Sequence, residues 1–174
     1  MATYGNRDYE DALLELKEVL ACQGFRALAA AAVSAEHNIV RSFGTGRPDS
    51  ADLEKIYGFA DQAAEKLKEV SCNFAIPDLK VKGNHPYRPY PGVHLKIRVS
   101  SSCNGCGTCI RKCPVQAISR TDPHIMDEER CISCMRCVKV CPVQGRTVSR
   151  LMLLAVRQKL KKACGSRKEP EFFL

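Results

Sequence analysis

The chain has 174 residues, among them 11 cysteines and no tryptophan, and a formal net charge of +8. That length accommodates one or two domains, and no apolar run approaches the roughly 18 residues of a transmembrane helix, which excludes a helical membrane span. Residues 1–94 carry 11 basic and 13 acidic side chains against 16 and 6 in residues 95–174, but the basic excess is scattered and has no aromatic–basic motif, which argues against nucleic-acid binding.

Residues 8–23 have helical spacing, with Ala12, Leu13, Leu16, Val19 and Leu20 on one stripe. Asp8 is placed to cap this helix and Gly24 to stop it. Residues 25–33 read two ways. Their alanines favour helix, but the segment is short and follows a stop glycine, so a buried strand with small side chains is the better reading. Residues 34–48 form a loop with Gly44 and Gly46. Asp49 or Ser50 then caps a helix to about Val70, its apolar face being Leu53, Ile56, Tyr57, Ala60, Ala63, Ala64 and Leu67. Residues 1–75 thus read as an α/β fragment whose Leu13, Leu16 and Leu20 lack a full sheet to cover them. Residues 76–98, with Pro77, Pro86, Pro89 and Pro91, read as a stiff connector. In it Tyr87 and Tyr90 are placed to pack at a junction.

Eight cysteines then fall into two copies of one spacing. Cys103-x2-Cys106-x2-Cys109-x3-Cys113-Pro114 is followed, 28 residues on at every position, by Cys131-x2-Cys134-x2-Cys137-x3-Cys141-Pro142. Gly105 and Gly107 flank Cys106 and permit the positive φ of a tight loop. The repeat runs on into Cys113-Pro-Val-Gln-Ala117 and Cys141-Pro-Val-Gln-Gly145, which suggests a pseudo-twofold unit. Zinc sites use separate cysteine pairs rather than a triplet plus Cys-Pro. A disulfide framework needs an oxidising compartment, and no signal peptide is evident, so the expected compartment is the cytoplasm.

Over residues 99–146 this pattern resembles the bacterial two-cluster ferredoxins. The resemblance implies two cubane 4Fe-4S clusters and one-electron transfer at low potential. It also implies crossed ligation, because the fourth cysteine of such a run serves the other cluster. Cluster 1 is then expected on Cys103, Cys106, Cys109 and Cys141, and cluster 2 on Cys131, Cys134, Cys137 and Cys113. The implied fold is two short helices and two small hairpins around the cubes. Ile110, Val115, Ile118, Ile132, Val138, Val140 and Val143 are expected to keep water off the sulfurs.

Residues 147–174 close the chain with an amphipathic basic helix over 147–164 and a tail. Leu151, Met152, Ala155, Val156 and Leu160 form the helix's apolar side, expected to pack on the protein's own body rather than on a membrane surface. Cys22, Cys72 and Cys164 read as free thiols, and His37, His85, His94 and His124 have no ligand spacing. No catalytic residue is assigned. A basic surface around the clusters suits an acidic redox partner.

Tyr-Gly-Asn-Arg-Asp-Tyr at 4–9 looks like the flavin-ring loop after the fourth strand of flavodoxin-like domains. With Glu36-His37-Asn38, Gly46-Arg47-Pro48-Asp49 and the closing Arg167-Lys-Glu-Pro-Glu-Phe-Phe-Leu174, the chain resembles the flavodoxin–ferredoxin fusion proteins of anaerobic bacteria and archaea. The fold class so implied is α+β, a two-cluster ferredoxin-like domain after a partial flavodoxin-like α/β fragment. Tyr4, Gly5 and Asn6 are the candidate remnants of an FMN loop. The phosphate-binding loop of such a domain is missing from the sequence, so FMN is expected only if the missing half is supplied, by a gene start further upstream or by another chain that completes the sheet. The enzyme alternative, a flavin oxidoreductase wired through its ferredoxin half, depends on that completion.

Overall fold

A computed structural model describes residues 1–71, 76–89, 92 and 95–174. Cys72, Tyr90, Pro91 and His94, singled out above, lie outside the described residues. The chain divides into two compact units. The first comprises Met1–His37, Arg41–Pro89 and Leu160–Leu174, the second Asn38–Val40 and Tyr90–Lys159.

The first unit begins with β1 (Ala2–Gly5), α1 (Ala12–Cys22) and β2 (Ala30–Ser34). β1 and β2 pair in parallel, Ala2 beside Ala31 and Gly5 beside Ser34. Parallel neighbours need a crossover between them, and α1 supplies it. The alanines of β2 are buried, their small side chains leaving room for Leu13, which is 0% exposed. Leu16 and Leu20 are half-buried, whereas Val19 is exposed, so the expectation of a bare leucine stripe is corrected. Asp8 does not cap α1 either. Its Oδ1 accepts from the Glu10 N–H at 3.1 Å, and Asp11 occupies the cap position. The Asp11 carboxylate accepts instead from the Asn84 N–H at 2.8 Å and the Arg88 N–H at 2.7 Å. Residues 76–89 therefore lie along α1, and their Leu79 joins the core of Leu13, Ala30 and Ala32.

α2 (Ser50–Ser71) starts on a reciprocal box. The Asp52 N–H donates to Asp49 Oδ1 at 3.1 Å and the Asp49 N–H to Asp52 Oδ2 at 2.9 Å, satisfying two orphan donors of the first turn. Arg47 clamps the buried Asp52 carboxylate from behind. The inner side of the helix departs from the expected stripe. Ile56, Phe59 and Ala63 share the inner side with Asp52, while Leu53, Tyr57, Ala60, Ala64 and Leu67 are exposed. The third strand is β5 (Glu171–Phe173), antiparallel to β2 with Ala30 beside Phe173. The sequence had offered only a tail there. Phe172 stacks on Phe59 with ring centroids 4.6 Å apart, and Arg167 donates to Asp49 at 2.6 Å.

The second unit holds β3 (Ile97–Val99), α3 (Thr108–Lys112), α4 (Arg136–Lys139), β4 (Arg146–Val148) and the start of α5 (Arg150–Cys164). β3 and β4 pair antiparallel, Ile97 beside Val148 and Val99 beside Arg146, so this pair joins the two ends of the unit rather than forming a local hairpin. The second small pairing is a single bridge between Ile118 and Met126. The core is Leu95, Ile97, Cys109, Ile118, Met135, Cys137 and Val148. On α5, Leu153 and Val156 pack against it, while Leu151 is 79% exposed and Met152 and Ala155 also face out. The expected apolar side is corrected at those three positions, because the less exposed residues of α5 fall three and four apart at Leu153, Val156, Leu160 and Cys164, a spacing that Leu151, Met152 and Ala155 do not share.

Candidate metal centre

The two cysteine runs have matching backbones. φ is positive at Gly105 (70°) and Ser133 (51°), at Gly107 (68°) and Met135 (58°), and at Gln116 (52°) and Gln144 (50°). Each pair is separated by the same 28 residues as the cysteines. A left-handed residue after the second cysteine turns each loop into α3 or α4, which carries the third. The fourth cysteine of each run receives a backbone donor. The Ala117 N–H reaches Cys113 Sγ at 3.3 Å and the Gly145 N–H reaches Cys141 Sγ at 3.2 Å. Glycine at 145 has a steric reason, since an added Cβ would meet the Cys103 backbone at 3.2 Å.

Among the described residues of this unit, two cavities are each lined by four cysteines. One is lined by Cys131, Cys134, Cys137 and Cys113, under Ile97, Ile118, Met126 and Met135. The other is lined by Cys103, Cys106, Cys109 and Cys141, with Val143, Pro123 and Arg146. Each gathers three cysteines of one run and the fourth of the other. Among the described residues no group of three or more His, Cys, Asp or Glu is suited to a single metal ion; the thiols stand around cavities instead. Four thiols per cavity and donors already aimed at two sulfurs are the chemistry of an iron–sulfur site.

The thiols differ in environment. Cys109 and Cys137 are buried and Cys106 is exposed. The Thr108 hydroxyl, 3.4 Å from Cys106 Sγ, and the Thr108 amide hold the Cys106 thiol below its ordinary pKa. Burial pushes the Cys137 thiol up, against an opposing pull from the Arg146 guanidinium. Of the expected apolar cover, Val115, Ile118, Ile132 and Val143 line the cavities, and Ile110 and Val138 pack behind them. Ile97, Met126, Met135, Pro123 and Arg146 also contribute, and motif spacing did not flag them. Arg146 had one signal. It is the repeat counterpart of Ile118, 28 residues on.

The candidate flavin-loop residues do not converge. Tyr4 is 82% exposed on β1, and the Gly5 carbonyl is taken by the Ala35 N–H at 2.8 Å. Asn6 is turned inward at 9% exposure and donates to the Ala35 carbonyl at 3.2 Å.

Among the described residues, no helix is long and apolar enough to cross a membrane. A comparison with curated proteins finds no match. Comparison with protein families matches residues 102–145 to the 4Fe-4S dicluster domain. Those residues form an iron–sulfur, ferredoxin-like domain, and the eight repeated cysteines all lie within them.

Proposed function

We propose that this chain is a one-electron carrier with two 4Fe-4S clusters, arranged with pseudo-twofold symmetry and crossed ligation. Cys103, Cys106, Cys109 and Cys141 would hold one cluster, and Cys131, Cys134, Cys137 and Cys113 the other. The observation that carries this reading is the pair of four-thiol cavities, each drawing its last cysteine from the opposite run. One-electron acceptance and release is the chemistry such clusters supply when bound, with no bond made or broken on a substrate. The chain's part is to fix eight thiolates, exclude water with Ile118, Met126, Val143 and their neighbours, and donate N–H groups to Cys113 and Cys141.

Charge supports an acidic redox partner. The first unit carries 15 basic and 15 acidic side chains and the second 12 and 4. Two oxidised clusters with their thiolates would add roughly −4, leaving the second unit positive. A positive surface raises the encounter rate with an acidic carrier.

Anaerobic reconstitution tests the reading. About eight iron and eight acid-labile sulfide per chain are expected, with a broad visible absorption that dithionite bleaches and air-free oxidant restores. Stoichiometric zinc without sulfide would end the proposal. Clusters that cannot be reversibly reduced would make the unit structural rather than a carrier.

A further inference from the structure

Arg146 is the least expected residue in the second unit. It is 2% exposed, and its Nε and Nη1 have no hydrogen-bond partner. Its Nη2 donates to the Pro123 carbonyl. No carboxylate pairs with it among the described ion pairs. A buried, unpaired guanidinium is costly unless negative charge stands beside it. Here the neighbours are thiols. Arg146 lines the cavity of Cys103, Cys106, Cys109 and Cys141 and lies near Cys137 of the other. The equivalent position of the first run holds Ile118, also buried at 4% and lining the opposite cavity. Two runs alike in ligands, prolines and positive-φ positions therefore differ at one buried position by a full charge.

We propose that Arg146 is a tuning residue that raises the reduction potential of the cluster in the cavity it lines and so sets the two clusters apart. The inference rests on the two-cluster reading above. A bound cluster with four thiolates is anionic, and reduction adds one more negative charge. A desolvated cation with two free N–H donors stabilises the reduced state more than the oxidised one, because charge interactions strengthen out of water. Ile118 brings no charge to its own cavity, which Arg146 does not line and touches electrostatically at Cys137. The first electron then enters the cluster of Cys103, Cys106, Cys109 and Cys141.

Iron and sulfide are counted first on the wild-type chain; a failure there defeats the two-cluster reading and not this one. An EPR-monitored redox titration of the loaded full-length protein then measures both potentials. In wild type they are expected to differ by tenfold or more in the reduction equilibrium, about 59 mV for one electron. Arg146→Met should lower the higher potential by at least that factor, and Arg146→Lys should keep most of it. Fully loaded Arg146→Met with both potentials unchanged would overturn the proposal. Should Arg146→Met fail to hold iron, the wild-type titration decides, since coincident potentials there overturn it too.

Discussion

At the scale of single residues the cysteines were legible and their surroundings only half so. Spacing alone points to the eight thiols and to positive φ at Gly105 and Gly107. It could not show that Ser133 and Met135 adopt the same left-handed backbone, since neither residue type advertises it. The strain of a non-glycine there, about 1 kcal/mol, is offset by local contacts. Ser133 Oγ accepts the Leu95 N–H at 3.0 Å, and Met135 fills the core. Arg146 escaped notice because a charged residue does not look like lining. The crossed cavities lead to a prediction for Cys113 and Cys141. Cys113→Ala should damage the cluster of Cys131, Cys134 and Cys137, and Cys141→Ala that of Cys103, Cys106 and Cys109. EPR of each variant after reconstitution reads which signal survives. If each substitution destroyed the cluster of its own run and spared the other, the crossed ligation would be wrong while the cofactor stood.

Among secondary-structure elements, the existence of α1, α2 and α5 was readable from apolar spacing and the start of α2 from its cap, but not the true cap of α1 or the strand the chain ends on. β5 spans only Glu171–Phe173, too short to show a period. Its partner β2 lies more than a hundred residues earlier, and no local rule reaches that far. Two motifs noted for one resemblance, Gly46-Arg47-Pro48-Asp49 and the closing octapeptide, meet in space. Arg167 bonds Asp49, Arg47 donates to the Lys168 carbonyl at 2.7 Å, and Tyr9 donates to Glu171 at 2.7 Å. These contacts dock the last strand, and Phe173 packs beside Leu13 and Leu79. Its side chain is only partly buried, so Phe173→Ala should cost about 2 kcal/mol. Urea unfolding followed by far-UV circular dichroism measures it, since α1 and α2 report on this unit. An unchanged midpoint would show that the C-terminal strand is an ornament on a sheet stable without it.

The two units of the whole molecule are stabilised by different chemistry. In the second, the core residues surround two thiol-lined cavities, and bound clusters would contribute folding energy as structural metals do. The first has a small apolar core and leans on carboxylates held below their ordinary range. The Arg47 guanidinium lowers Asp52, Arg167 lowers Asp49, and the Arg88 and Asn84 amides lower Asp11. The Tyr87 hydroxyl and His85 lower Glu18, and Lys55 with Arg167 brings Glu169 to about 2. Folded values below the unfolded ones, near 4, contribute stability that is complete above about pH 4 and lost as pH falls through the folded values. The urea midpoint of the helical signal should therefore hold steady from about pH 5 to 8 on account of these groups and fall continuously below about pH 4. Asp52→Asn should cost about 3 kcal/mol at pH 7 by leaving the buried Arg47 without its countercharge, and should flatten part of that acid slope. A midpoint that stayed level down to about pH 2.5 would mean that these ion pairs, however well formed, contribute nothing net to folding.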